Sequence, residues 1–158
     1  LSAKSAKKYL EMVEQYRLWG VMFPDININK TFIDSNNWSL QTATLFKVNE
    51  NDVIRKRLNK FAFSNEEIDT IIFLKEFLEI KPEMAFELSK KHKITGVDSR
   101  TLTEWSKLNR LDLKVVKAFL KYKPSTDGRS VMKEFGVRGP EIATKIREIE
   151  AEKFKALL

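Results

Sequence analysis

Four cations fall within six residues at Arg55, Lys56, Arg57 and Lys60, on a segment whose apolar residues Val53, Ile54, Leu58 and Phe61 recur at helical spacing. Such a row suits the phosphates of a nucleic-acid backbone, because each phosphate neutralised releases condensed counterions. It equally suits a plain solvated face. The second constellation is Phe135-Gly136-Val137-Arg138-Gly139-Pro140-Glu141-Ile142-Ala143. Two glycines three apart permit a tight turn, and that turn feeds a helix whose free N–H groups and positive dipole end attract an anion. Arg138 lies between the glycines, Lys145 follows on the helix, and Arg129 and Lys133 precede the turn. Lys121 and Lys123 are weaker candidates of the same kind. Pro140 removes one donor, and Gly-x-x-Gly-Pro also serves as an economical corner between two helices. Its pattern overlaps that of a helix-hairpin-helix, which binds nucleic-acid backbones without reading sequence.

Other chemistry is poorly served. The chain has no Cys and a single His, His92, which removes thiol catalysis, zinc fingers and nearly every His-based arrangement. His92 lies in Lys90-Lys91-His92-Lys93 and reads as an exposed histidine near a helix end. A Walker-type loop, GxGxxG after a strand, GxSxG and a closely spaced aspartate pair are all missing from the sequence. Catalysis by this chain alone is not expected. Glu14 and Arg17 read as a surface i,i+3 ion pair.

Composition sets the frame for these residues. Of 158 residues 29 are Lys or Arg and 22 Asp or Glu, a formal charge of +7. The acidic and basic groups nearly balance over residues 61–110, so the excess lies toward the two ends of the chain. With 42% hydrophobic residues, one or two units with substantial cores are expected. No apolar run approaches the ~20 residues that span a bilayer. The cytoplasm is the default compartment, and no membrane partner is expected.

Three-to-four spacing of apolar residues runs almost throughout, and sustained alternation is absent, so the fold is expected to be all-α, with about seven to nine short amphipathic helices. A first helix is expected from about Ser2 to Trp19 with Gly20 as its C-cap, then a loop on Phe23-Pro24-Asp25 running from Val21 to Asp34. Asn37 is placed to cap a helix through Trp38, Leu40 and Leu45. Ser64-Asn65-Glu66-Glu67 is a capping box, with Phe63 and Ile68 at hydrophobic-staple positions. Pro82 starts another helix, Thr101-Leu102-Thr103-Glu104 is a second capping box, Asp112 caps the helix that Lys123-Pro124 closes, Gly136 ends a short helix, and Gly139-Pro140 opens the last. Two domains are expected, residues 1–110 and 111–158.

These residues, in this order, resemble the C-terminal half of the class II tRNA nucleotidyltransferases, the CCA-adding enzymes and related poly(A) polymerases. The match is carried by Asp127-Gly128-Arg129-Ser130-Val131-Met132 with Phe135-Gly136-Val137-Arg138-Gly139-Pro140-Glu141-Ile142, similar to the family's tail corner. Upstream, Trp19-Gly20-Val21-Met22-Phe23-Pro24 resembles its Phe-Pro corner, and Arg57-Leu58 with Phe63-Ser64-Asn65-Glu66-Glu67-Ile68 its Ser-Asn element. Ser130 replaces the usual aspartate, Ala143 stands where glycine is common, and the corner is one residue shorter between its glycines.

The resemblance implies a helical body over residues 1–110 and a tail over 111–158, holding the tRNA elbow and acceptor stem by backbone contacts. A separate head domain would add nucleotides to the 3′ end, with Mg2+ and nucleoside triphosphates bound there and no cofactor in this chain. On that reading the RNA-binding residues are Arg55, Lys56, Arg57, Lys60, Arg129, Lys133, Gly136, Arg138, Gly139 and Lys145. The alternatives are a helix-hairpin-helix DNA-binding domain and a helical protein-interaction module.

Overall fold

The computed structural model describes residues 3–24, 26–29, 35 and 37–158, with ten helices and no strand among them. The all-α expectation holds; the helix count exceeds it by a four-residue piece, α2. The chain divides into two compact units, Leu1–Lys75 and Glu76–Leu158. That division falls upstream of the 110/111 boundary expected from sequence, which instead lies inside one unit: Leu111 N–H donates to Ser106 O at 2.9 Å.

In the first unit, α1 (Ala3–Gln15) and α2 (Trp19–Met22) precede α3 (Trp38–Phe46) and α4 (Asn51–Lys60), and α5 (Asn65–Phe77) crosses the division. Gly20 does not end α1. Arg17 does, at φ 54°, with Leu18 N–H donating back to Val13 O at 2.9 Å, and Gly20 lies inside α2. Val13 is thereby kept in the interior, 1% exposed. Phe23 then packs its ring against Phe46 and Phe61, with centroids 5.3 and 5.0 Å apart. Asn49 ties residues 26–29 down, accepting from Asn27 N–H at 2.9 Å and donating to Asn27 O at 2.7 Å. Asp25 and residues 30–34 of the expected loop lie outside the described residues.

The caps of this unit are local and follow the sequence. Asn37 accepts from Ser39 N–H at 3.0 Å. Ser64 and Glu67 form the reciprocal box: Glu67 N–H donates to Ser64 Oγ at 3.2 Å and Ser64 N–H to Glu67 Oε2 at 2.7 Å.

The second unit holds α6 (Pro82–Thr95), α7 (Ser99–Leu108), α8 (Leu113–Lys121), α9 (Gly128–Phe135) and α10 (Pro140–Lys155). α10 packs along α6 and against α9, and α7 packs against α8. Phe119 of α8 meets Phe77 edge-on at 5.0 Å, and Tyr122 meets Phe154 at 5.4 Å. Trp105, Leu102 and Phe154 are completely buried. Each such aromatic removes upward of 150 Å2 from water, the largest favourable contributions a unit this size has. The cap of α7 is not the Thr101 box. Asp98 takes it, Oδ1 accepting from Thr101 N–H at 2.8 Å and Oδ2 from the Thr101 hydroxyl at 2.9 Å, so the helix starts a turn earlier and Thr101 lies inside it.

Candidate functional site

The glycine corner is assembled by α9 and α10. Asp127 starts α9: its Oδ1 accepts from the N–H groups of Arg129 and Ser130 at 2.9 and 3.1 Å, and its Oδ2 from the Ser130 hydroxyl at 2.6 Å. Those Ser130 bonds, the side chain's foremost, hold the Asp127 carboxyl below its ordinary range. Gly136 ends α9 at φ 68°, its N–H donating to Met132 O at 3.0 Å. Gly139 precedes Pro140 at φ 57° and ψ −131°, a region essentially reserved for glycine. A Cβ at either glycine would meet nothing within 4 Å, so torsion and not close approach requires them.

Arg129, Lys133 and Arg138 are exposed around this corner, and none forms a salt bridge with a carboxylate among the described residues. Arg129 and Lys133, four apart on α9, share a face. Lys145 does not join them as a free charge. It pairs with Glu148 at 2.9 Å and lies 4.9 Å from the Phe135 ring centroid, bridging the end of α9 to α10. The start of α10 is also less receptive to an anion than its sequence suggests. Pro140 has no N–H, Ile142 N–H donates to Gly139 O at 3.2 Å, and Glu141 puts a carboxylate in the first turn. Positive charge at the corner therefore resides in Arg129, Lys133 and Arg138.

The row on α4 lies in the other unit and is not one surface. Arg55 is half-buried and paired with Asp69 of α5, Arg57 is half-buried and likewise engaged, and only Lys56 and Lys60 are exposed. At 100° per residue Lys56 and Lys60 lie about 40° apart, with Arg55 about 140° from Lys60.

His92 is half-buried and not exposed: its Nε2 lies 2.7 Å from Val97 O and its ring packs on Phe119 at 5.5 Å. It closes the end of α6, whose C-cap is Gly96. A groove of about 440 Å3 is lined by Glu83, Phe135, Lys145, Glu148, Glu152 and Lys155, and its alternating charges select neither anion nor cation. No group of three or more His, Asp or Glu that could hold a metal ion occurs among the described residues. No helix among them is long and apolar enough to cross a membrane.

Two features carry weight that the local sequence pattern understates. One is Glu150, completely buried on α10. Its Oε2 accepts from the Tyr122 hydroxyl at 2.5 Å. Its Oε1 accepts from the N–H groups of Ser125 and Thr126 at 3.1 and 2.7 Å, from the Thr126 hydroxyl and from Lys153 Nζ at 3.0 Å. One carboxylate thus pins the whole α8–α9 connection onto α10. Burial alone would raise its pKa; the donors from Thr126, Tyr122, Lys153 and Ser125 outweigh that and bring it to about 2. The other is α8, where Lys114, Lys117 and Lys121 are all exposed, spaced i, i+3, i+7, and without a carboxylate partner among the described residues. That spacing is visible in the sequence once Val116 and Phe119 are taken as the buried side.

Comparison of the chain with protein-family models, with curated proteins and with solved structures finds no match.

Proposed function

We propose that this chain is an RNA-holding helical module, the body-and-tail part of a tRNA nucleotidyltransferase-like or poly(A) polymerase-like protein, gripping structured RNA by its sugar–phosphate backbone. The observation that supports it best is the corner between α9 and α10. Exposed Arg129, Lys133 and Arg138, with no carboxylate partner among the described residues, surround a turn fixed by two positive-φ glycines. Cations on a rigid turn make phosphate contacts, which set register without reading bases, and A-form RNA is recognised chiefly in that way. The order of motifs shared with the nucleotidyltransferases supplies the substrate class. Nucleotide addition itself, with its Mg2+ and triphosphates, is assigned by that resemblance to a separate head domain.

The test is a salt titration of tRNA binding to the full chain, with duplex DNA of equal charge as competitor. The expected outcome is preferential tRNA binding whose affinity falls as salt rises, and a log–log slope smaller by about 2 to 3 when Arg129, Lys133 and Arg138 are all replaced by Gln. Salt-independent binding would refute the electrostatic grip. A preference for the DNA duplex would favour the helix-hairpin-helix reading instead.

A further inference from the structure

We infer that the α7–α8 edge of the second unit is a second phosphate-binding surface, built from Arg110, Lys114, Lys117 and Lys121 and fitted to the backbone of duplex RNA. The inference rests on the RNA reading for its occupant and on separate residues for its surface.

Charge on this stretch is one-sided. Between Trp105 and Thr126 the chain carries Lys107, Arg110, Lys114, Lys117, Lys121 and Lys123, and its sole acid is Asp112. Asp112 is occupied as the α8 cap, accepting from Lys114 N–H at 2.8 Å. All six cations are exposed, and none has a carboxylate partner among the described residues. Lys114, Lys117 and Lys121 lie within about 60° of one another around the helix and span roughly 10 Å along it. Val116 and Phe119 occupy the opposite, buried side, and Ala118, about 40° from Lys114, is buried as well.

Local energetics do not account for this row. Lys114 stands in the first turn of α8, where the Asp112 cap carboxylate faces the same dipole end, and it repels Lys117 at i,i+3, while Lys121 is in the favourable last turn. Arg110 holds φ 58°, a left-handed conformation in which glycine is the unstrained choice. Solubility alone does not ask for a row of repelling lysines; an anion facing this edge offsets that repulsion.

The chemistry of the face picks the kind of anion. Single strands are gripped by aromatic platforms on which bases stack. The exposed large hydrophobic residue on α8 is Leu113, and no aromatic on α8 is exposed. Three ammonium groups in a row without a stacking surface suit paired strands, whose bases are turned inward and whose phosphates are outward.

The experiment measures binding of the full chain to a labelled RNA hairpin duplex across a salt series. Replacing Lys114, Lys117 and Lys121 together by Gln is expected to weaken binding on the order of 100-fold at 0.1 M salt and to reduce the salt slope by about 2 to 3. Two further variants separate surface from scaffold. Lys117→Glu creates opposite-charge pairs with Lys114 and Lys121, and Arg110→Gly relieves the left-handed torsion; both should unfold at the same or a higher temperature while binding RNA more weakly. If the triple Gln variant and Lys117→Glu bind as the native chain does while the corner variant loses affinity, the α8 surface is refuted and the RNA reading stands. If the native chain shows no affinity for the hairpin, or prefers duplex DNA, the RNA reading falls and takes this occupant with it.

Discussion

Glu150 offers the sharpest test of how the second unit is held together. Replacing it by Ala removes an acceptor of five hydrogen bonds and leaves the Tyr122 hydroxyl and the Ser125 and Thr126 N–H groups without their partner. Breaking a buried charged network from one side costs about 3–5 kcal/mol. Glu150→Gln keeps one acceptor oxygen and the volume, and should cost about 1.5–3 kcal/mol, the charge-assisted share. The pH dependence follows from the same carboxyl. Its folded pKa of about 2 lies below its ordinary 4.5, so the stabilisation is complete above about pH 5 and is lost as pH falls toward 2. A depression of that size corresponds to at most about 3 kcal/mol. Denaturant unfolding followed by circular dichroism at pH 7 and pH 3 would measure it. The native chain should lose more stability between those values than Glu150→Gln does, and the Ser125 and Thr126 amides should exchange faster in the variant. Equal acid losses in the two proteins, or a Glu150→Ala chain as stable as the native one, would refute the assignment.

Two further outcomes follow from backbone torsions. Gly139→Ala should destabilise the α9–α10 turn by about 1–3 kcal/mol, measured by thermal unfolding, because ψ −131° with positive φ excludes a Cβ although nothing crowds the position. Gly136→Ala, at an ordinary left-handed cap, should cost about 1 kcal/mol, so a larger loss at Gly136 than at Gly139 would contradict this ordering. Ala62→Gly, at φ 58°, should gain up to about 1 kcal/mol in urea unfolding, and a loss would show that the Ala62 methyl contributes packing that its exposure does not reveal.

Much of the architecture was legible because caps are local signals. Ser64, Asn37 and Asp112 use their side chains, and Pro82 and Pro140 their missing N–H, within one turn of where the sequence puts them. Helix ends were harder. Three are closed by 6→1 backbone bonds around a left-handed residue that is not glycine: Leu18 to Val13 around Arg17, Phe63 to Leu58 around Ala62, and Leu111 to Ser106 around Arg110. In each the accepting main-chain carbonyl is that of a buried residue, Val13, Leu58 or Ser106, so packing selects the stopping point and composition does not announce it. Glu150 was illegible for a related reason. Its partners Tyr122, Ser125 and Thr126 lie 24 to 28 residues away, beyond any helical period. On α4, cations close in sequence spread around the helix, and one of them, Arg55, pairs with Asp69 of α5.

The net charge of +7 acquires meaning from that sorting. Arg55, Lys91, Lys145, Arg147 and Lys153 are matched to Asp69, Glu76, Glu148, Glu87 and Glu150, and in those pairs basic groups serve the fold. Exposed pairs of this kind contribute little stability each, so a chain evolving only to fold has slight reason to place cations one way or another. Among the described residues, six unmatched cations lie between Lys107 and Lys123 and three between Arg129 and Arg138, while others, among them Lys47, Lys56, Lys60, Lys81, Lys93 and Arg100, are scattered. Within the first, Lys114 and Lys117 repel each other at i,i+3, while Lys107 and Lys121 lie in the favourable last turns of their helices. A charge needed for solubility is indifferent to position; a row of unpaired cations on one helix face is what the proposed grip on an RNA backbone would use.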